Sequence, residues 1–203
     1  MVDLSSITGL AVGGSFTCAW LSDGTGYCWG LNRNGRLGDG TEQNRSSPTR
    51  VRGLTDAAGL SAGGGFACAW RTDGVAFCWG SNNLGQLGDG TTIERFVPGP
   101  VPGLGVVASL EAGSGHTCAR LRDGTLWCWG TNRQGGLGDS TTTDRVVPVQ
   151  VVGLRDVDGV TAGFNHTCAW RTDGRIWCWG GNEFGQLGDG TTTNRTTPTE
   201  LRW

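Results

Sequence analysis

The sequence predicts an all-β protein, a β-propeller array of four like blades with four antiparallel strands each, and three observations carry that expectation. One 50-residue unit recurs four times without insertion: Cys18, Cys68, Cys118 and Cys168 fall 50 apart, as do Cys28, Cys78, Cys128 and Cys178. Periods of this size mark solenoids, propellers and arrays, where one unit cannot bury its apolar face alone. Each unit also holds short strand-like runs punctuated by glycine and aromatic residues. Finally, 38 Gly and 10 Trp against a single Met suit tight turns and aromatic packing better than long helices. The chain reads as one repeat domain over 1–203, with units at approximately 1–50, 51–100, 101–150 and 151–203.

The strands of the last unit illustrate all four. Gly159 to Gly163 reads as a first, crowded strand, His166 to Arg171 as a second, and Arg175 to Gly180 as a third. Thr196 to Leu201 reads as a fourth, and Pro198 assigns it to an edge because proline gives the ladder no donor. Between the second and third strands, Thr172-Asp173-Gly174 has the form of a three-residue loop, a type I turn closed by a glycine bulge.

That turn fixes the register. With Arg171 and Arg175 closing the loop, Trp170 faces Ile176, Ala169 faces Trp177, and Cys168 faces Cys178 at a non-hydrogen-bonded position, where side chains come closest. The same arithmetic pairs Cys18 with Cys28, Cys68 with Cys78, and Cys118 with Cys128. Four intra-blade disulfides are expected, each worth roughly 2.5 to 3 kcal/mol in the chain-entropy account. The alternative is eight reduced cysteines filling a packed interior. Zinc is disfavoured, because no C-x2-C knuckle is present and the chain has only two His.

Positions identical in all copies report on the scaffold, whereas a single asymmetric partner is met by positions that differ. Asp39, Asp89, Asp139 and Asp189 give one carboxylate per loop, too few for a calcium cage, and are expected to hold their own loops with Thr41, Arg45 and their counterparts. Asn32, Asn82, Asn132 and Asn182 read as residues that satisfy the loop backbone. His116 and His166 stand where other copies have Phe16 and Phe66, so packing, not proton chemistry, is expected of them. Trp29, Trp79, Trp129 and Trp179 should pack between blades; Trp20, Trp70 and Trp170, with Arg120 in the odd copy, form a surface row or a cation–aromatic contact. No catalytic motif, metal site or cofactor cradle appears, so no catalytic residue and no cofactor are expected.

The variable positions are the candidate partner-binding residues. Between the repeated Asn and Gly lie Arg33 and Asn34, Asn83 and Leu84, Arg133 and Gln134, and Glu183 and Phe184, and the following loop contributes Ile93. Leu84, Ile93 and Phe184 are apolar in loops with no evident packing need, and rigid scaffolds present binding residues on loops. The competing reading is neutral variation of tolerant loops.

The pattern W-G-x-N-x-x-G-x-L-G-D-G-T-T, preceded by H-T-C-A and D-G-x-x-x-C-W-G, resembles the repeat of the regulator of chromosome condensation family over all four units. The resemblance implies four-stranded propeller blades but no single function, since the family includes exchange factors, ubiquitin-ligase scaffolds, a plant ultraviolet photoreceptor and secreted β-lactamase inhibitors. Its members usually close a ring of seven blades. Four blades leave a bare face at each end, and three resolutions are open: half of an eight-bladed ring closed by a two-fold homodimer, a closed four-bladed ring, or a piece of a longer protein.

Two functional classes follow: a noncatalytic scaffold or protein-binding module, and a guanine nucleotide exchange factor for a small GTPase; a secreted enzyme-inhibitor-like propeller is a further alternative. The net charge of -2, with 16 basic residues that are all Arg, argues against a nucleic-acid partner and weakens the exchange-factor reading. No apolar run approaches a membrane span, so no membrane partner is expected. The first residues show no signal peptide, and an extracellular or other oxidising compartment is expected only if the disulfides form. Three N-x-S/T sequons, at Asn44, Asn165 and Asn194, read as by-products of the repeat.

Overall fold

The computed structural model describes residues 5–202. The first blade comprises β1 (Ile7–Val12), β2 (Phe16–Leu21), β3 (Gly26–Gly30) and β4 (Arg45–Arg50). The second holds β5 (Ala57–Ala62), β6 (Phe66–Arg71), β7 (Ala76–Gly80) and β8 (Arg95–Pro100). The third holds β9 (Val107–Ala112), β10 (His116–Leu121), β11 (Leu126–Gly130) and β12 (Arg145–Gln150). The fourth holds β13 (Gly159–Ala162), β14 (His166–Trp170), β15 (Ile176–Gly180) and β16 (Arg195–Glu200). Every blade is an antiparallel meander in chain order, with its proline-bearing fourth strand at an edge. There Pro198 lies in a stretch where the register shifts between Gly180↔Arg195 and Cys178↔Thr199, which removes its missing donor from the ladder.

The hairpin between β14 and β15 closes as its sequence dictates. The Arg171 N–H donates to the Arg175 carbonyl at 3.1 Å and the Gly174 N–H to Arg171 at 3.0 Å, with Gly174 at φ +82, a left-handed conformation that glycine adopts without strain. Trp170↔Ile176, Ala169↔Trp177 and Cys168↔Cys178 then face each other. The bridges Cys18–Cys28, Cys68–Cys78, Cys118–Cys128 and Cys168–Cys178 are all formed, each with Cα atoms 4.1 Å apart.

The core lies between blades. Phe16, Cys18, Cys28, Leu37, Val51 and Leu54 on the trailing face of the first blade pack against Leu60, Ala67, Ala69 and Trp79 on the leading face of the second. The same layer recurs at the next two junctions, around Trp129 and Trp179. The inner strands β1, β5, β9 and β13 follow one another around the axis. Their turns are linked by hydrogen bonds from Gly14 N–H to Gly63, Gly64 N–H to Gly113 and Ser114 N–H to Gly163, at 3.2 to 3.3 Å.

The arc is open, which corrects the four-bladed closed ring. Leu10 on the leading face of the first blade is 59% exposed, whereas its counterparts Leu60, Leu110 and Val160 are 4%, 0% and 5% exposed beneath a preceding blade. The wedge between blades is too shallow for the fourth to reach the first.

Candidate partner-binding rim

The long loop after each third strand is tied by one repeated knot. The Asn132 side chain donates to Asp139 Oδ1 at 3.0 Å and to the Thr141 carbonyl at 3.1 Å, and its own oxygen accepts the Leu137 N–H at 2.9 Å. Asp139 Oδ1 also accepts the Thr141 N–H and hydroxyl, while Oδ2 accepts Arg145 Nε at 2.8 Å. The other three loops carry the same Asn–Asp–Thr–Arg set. Burial opposes ionisation of Asp139, but the Thr141 hydroxyl, the Arg145 guanidinium, the Thr141 amide and Asn132 outweigh it and hold the carboxyl below its ordinary value. At Asp189 the Thr191 hydroxyl and Arg195 bring it to about 2. These carboxylates are occupied within their loops, as expected, and no group of acidic, His or Cys side chains suited to a metal ion occurs among the described residues.

On this locked backbone the variable residues divide into two sets. Asn34 donates to Glu94 of the second blade, and Gln134 Nε2 donates to Glu183 Oε1 of the fourth at 3.0 Å. Leu84 is half-buried: its Cδ1 and the Thr131 methyl flank Gly115 of the third blade. The expectation that Leu84 has no packing role is therefore corrected, because the position three residues after each loop start reaches the following blade. Arg33, Asn83, Ile93, Arg133 and Phe184 stand exposed, with Phe184 at 90%.

Leu84, Arg133 and Gln134 come together with Thr131, Phe164 and Asn165 around one concave site spanning the second to fourth blades. Among the described residues Arg133 pairs with Asp144, at 3.9 Å, an exposed pair of little energetic worth that leaves the guanidinium available. Phe164 was not singled out by sequence; it stands where the other copies have Gly14, Gly64 and Ser114, and that departure from the repeat was the available signal.

The remaining expectations resolve locally. His116 is buried with Nε2 2.9 Å from the Thr167 hydroxyl, and burial, with a smaller contribution from His166, lowers its pKa to about 4. Trp20 and Trp70 are half-buried and Trp170 is exposed, their rings lying over Gly9, Gly59 and Gly159; none takes part in a cation–aromatic contact among the described residues, and Arg120 bonds Ser109 in the odd copy. The close cation–aromatic contact is instead Arg171 over Trp177, at 4.5 Å. Asn44 and Asn194 accept the backbone N–H of Asn32 and Asn182.

Four-stranded meanders stacked about an axis, with tryptophan between them and a rim of tethered loops, define a propeller-type repeat protein. The chain belongs to the regulator of chromosome condensation (RCC1) repeat family, whose profile matches residues 23–70, 73–120, 123–170 and 173–203. Each of the first three matched units begins in the turn between the second and third strands of one blade and ends in the second strand of the next, so the sequence unit straddles a junction. A second RCC1 repeat profile matches 107–135 and 157–186. Among solved structures, human WBSCR16 aligns over 100% of this chain and 55% of its own, with a TM-score of 0.90 and 24% identity. Yeast RCC1 (Prp20), in a structure with Kap60 bound, aligns over 100% and 50%, with a TM-score of 0.86 and 21% identity. Prp20p from Saccharomyces cerevisiae, in a structure reported with its binding properties to Gsp1p and histones, aligns over 100% and 52%, at 0.86 and 22%. The chain thus spans about half the length of these propellers. No curated protein matches it.

Proposed function

We propose that this chain is a noncatalytic protein-binding module whose partner docks on the concave rim site formed by Leu84, Thr131, Arg133, Gln134, Phe164 and Asn165. The observation that carries the reading is the convergence of the non-repeated Leu84, Thr131, Arg133 and Gln134, on loops whose backbone is fixed by an identical knot in every blade, with Phe164 and Asn165 from the turn between β13 and β14. Preorganised loops lose little entropy on binding. Leu84 and Phe164 offer apolar surface beside the exposed guanidinium of Arg133, a combination suited to a partner presenting an apolar side chain next to a carboxylate. The repeated Asp side chains and His116 are engaged in structural hydrogen bonds, which supports a role without catalysis. The four disulfides support residence in an oxidising compartment. Completion of the ring by a second copy, to eight blades, belongs to the same reading.

The test is capture of proteins on the immobilised chain and on a Leu84→Ser/Arg133→Glu variant with unchanged melting. Retention of a protein by the unmodified chain alone supports the rim site. Equal retention on both overturns it.

A further inference from the structure

The three internal junctions show what each blade requires of the next. The carbonyls of Arg36, Gln86 and Gly136 accept the indole N–H of Trp79, Trp129 and Trp179 at 3.0, 2.9 and 2.9 Å. Thr117 and Thr167 hydroxyls donate to the same carbonyls at the second and third junctions. The Gly40, Gly90 and Ser140 amides donate to the Phe96, Val146 and Thr196 carbonyls, and the inner turns add one bond per junction.

The outer faces carry the two unmatched halves of one more such set. On the first blade, the Trp29 indole and the Thr17 hydroxyl have no acceptor among the described residues, and the Gly13 and Ser46 carbonyls receive no bond from another blade. On the fourth, the Gln186 carbonyl and the Phe164 and Gly190 amides lie at the corresponding positions with no blade beyond them. Trp29 is half-buried, unlike its three fully buried counterparts, and Gln186 is exposed where Arg36 and Gln86 are buried.

Side chains on the two faces are matched as well. At the second and third junctions, positions equivalent to 34 and 31 of successive blades meet: Leu84 and Thr131 flank one point on Gly115, and Gln134 covers Gly181. On the outer faces these positions are Phe184 and Leu31, both apolar, whereas position 31 is Ser81, Thr131 and Gly181 in the other blades. His166 likewise stands to Thr17 as His116 stands to Thr167, the bonded pair at 2.9 Å.

Resting on the ring-completion reading above, we infer that the trailing face of the fourth blade docks on the leading face of the first blade of a second copy, with Phe184 seated on Leu31 and Trp29 donating to Gln186. A two-fold axis repeats the junction and closes eight blades. An unrelated partner has no reason to complement the donors of one face and the acceptors of the other, whereas a blade of this same repeat, here that of a second copy, does both at once. Eight blades stand about 45° apart against about 51° for seven, so each wedge narrows by roughly 6°, about 1 Å over a 10 Å sheet separation. Side-chain adjustment absorbs a displacement of that size.

The experiment is light scattering on the 203-residue chain at micromolar concentration, where twice the 21.3 kDa chain mass is expected. Leu31→Lys and Phe184→Glu should each run at the single-chain mass, because each places one charge against an apolar residue at both junctions. Mixed in equal amounts they should recover the doubled mass, since the mixed ring has one unmodified junction and one Lys–Glu pair. Both positions are on the monomer surface, and unchanged melting of each variant certifies the fold. A single-chain mass for the unmodified protein, masses that grow with concentration, or no recovery on mixing overturns the inference. Equal capture on the unmodified chain and on the Leu84→Ser/Arg133→Glu variant, with the doubled mass retained, overturns only the rim site.

Discussion

The Trp129 indole N–H and the Gln86 carbonyl, 2.9 Å apart, join the second and third blades through a buried hydrogen bond that Thr117 shares. Trp129→Phe keeps most of the apolar area and leaves the carbonyl its Thr117 donor. The expected loss is about 1 to 2 kcal/mol, including the smaller ring's void. Trp29→Phe, measured in the Phe184→Glu background, should cost less, because its indole has no acceptor among the described residues. Urea unfolding midpoints check both.

Ser109 and Arg120 form the one departure from a glycine–tryptophan pair. A Cβ on Gly9 or Gly59 would lie within 2.2 Å of the Trp20 or Trp70 ring, so glycine is required wherever tryptophan stands. Arg120→Trp alone should therefore destabilise by about 1 to 3 kcal/mol through overpacking against the Ser109 side chain. Adding Ser109→Gly should recover most of that loss. A double-mutant cycle from urea unfolding, with coupling near zero, would refute the pairing.

His116 makes stability depend on pH. Its folded value is depressed to about 4 by burial, against an unfolded value near 6.5, so the neutral ring is favoured in the fold. Its contribution is complete above the unfolded value, is lost as pH falls through the interval between about 6.5 and 4, and changes little below. Roughly 3 kcal/mol is at stake. His116→Phe, the residue type found at Phe16 and Phe66, should reduce the loss of stability across that interval, leaving the part due to His166, which burial also depresses, while Thr167 keeps its bond to the Gly136 carbonyl. Melting temperatures at pH 7 and pH 5 for the two proteins provide the check.

The disulfides predict a peptide map. Alkylation without reductant followed by mass spectrometry should find Cys18 joined to Cys28 and the three equivalent pairs, with no alkylated cysteine. Replacing Cys118 and Cys128 together by Ala should cost about 3 kcal/mol in chemical unfolding. Free thiols in the native protein would contradict the pairing.

The Asn132 side chain closes its loop around an otherwise buried amide. Asn132→Ala strands the Leu137 N–H and removes two donors, and about 2 to 3 kcal/mol should be lost. Chemical unfolding measures this, and a change within 0.5 kcal/mol, the usual range of surface substitutions, is the contrary outcome.

Local chemistry made the blade legible. Thr172-Asp173-Gly174 fixes its hairpin, the hairpin fixes register, and register brings Cys168 to Cys178; each step spans a few residues and follows from backbone geometry alone. The knot of Asn132, Asp139, Thr141 and Arg145 was legible for the same reason, since all four lie within one loop. Leu84 was misread because its partners, Gly115 and Thr131, belong to another blade, and sequence spacing carries no measure of distance across a junction. Phe164 went unremarked although its glycine and serine counterparts were in view. The sequence by itself thus determined the unit, its turns, its disulfide register and which residues serve the scaffold, because these depend on contacts within one blade. Only the tertiary structure decided the open arc, the donors and acceptors shared across junctions, and the division of the variable residues between packing and exposure, because these depend on the angle at which rigid blades meet.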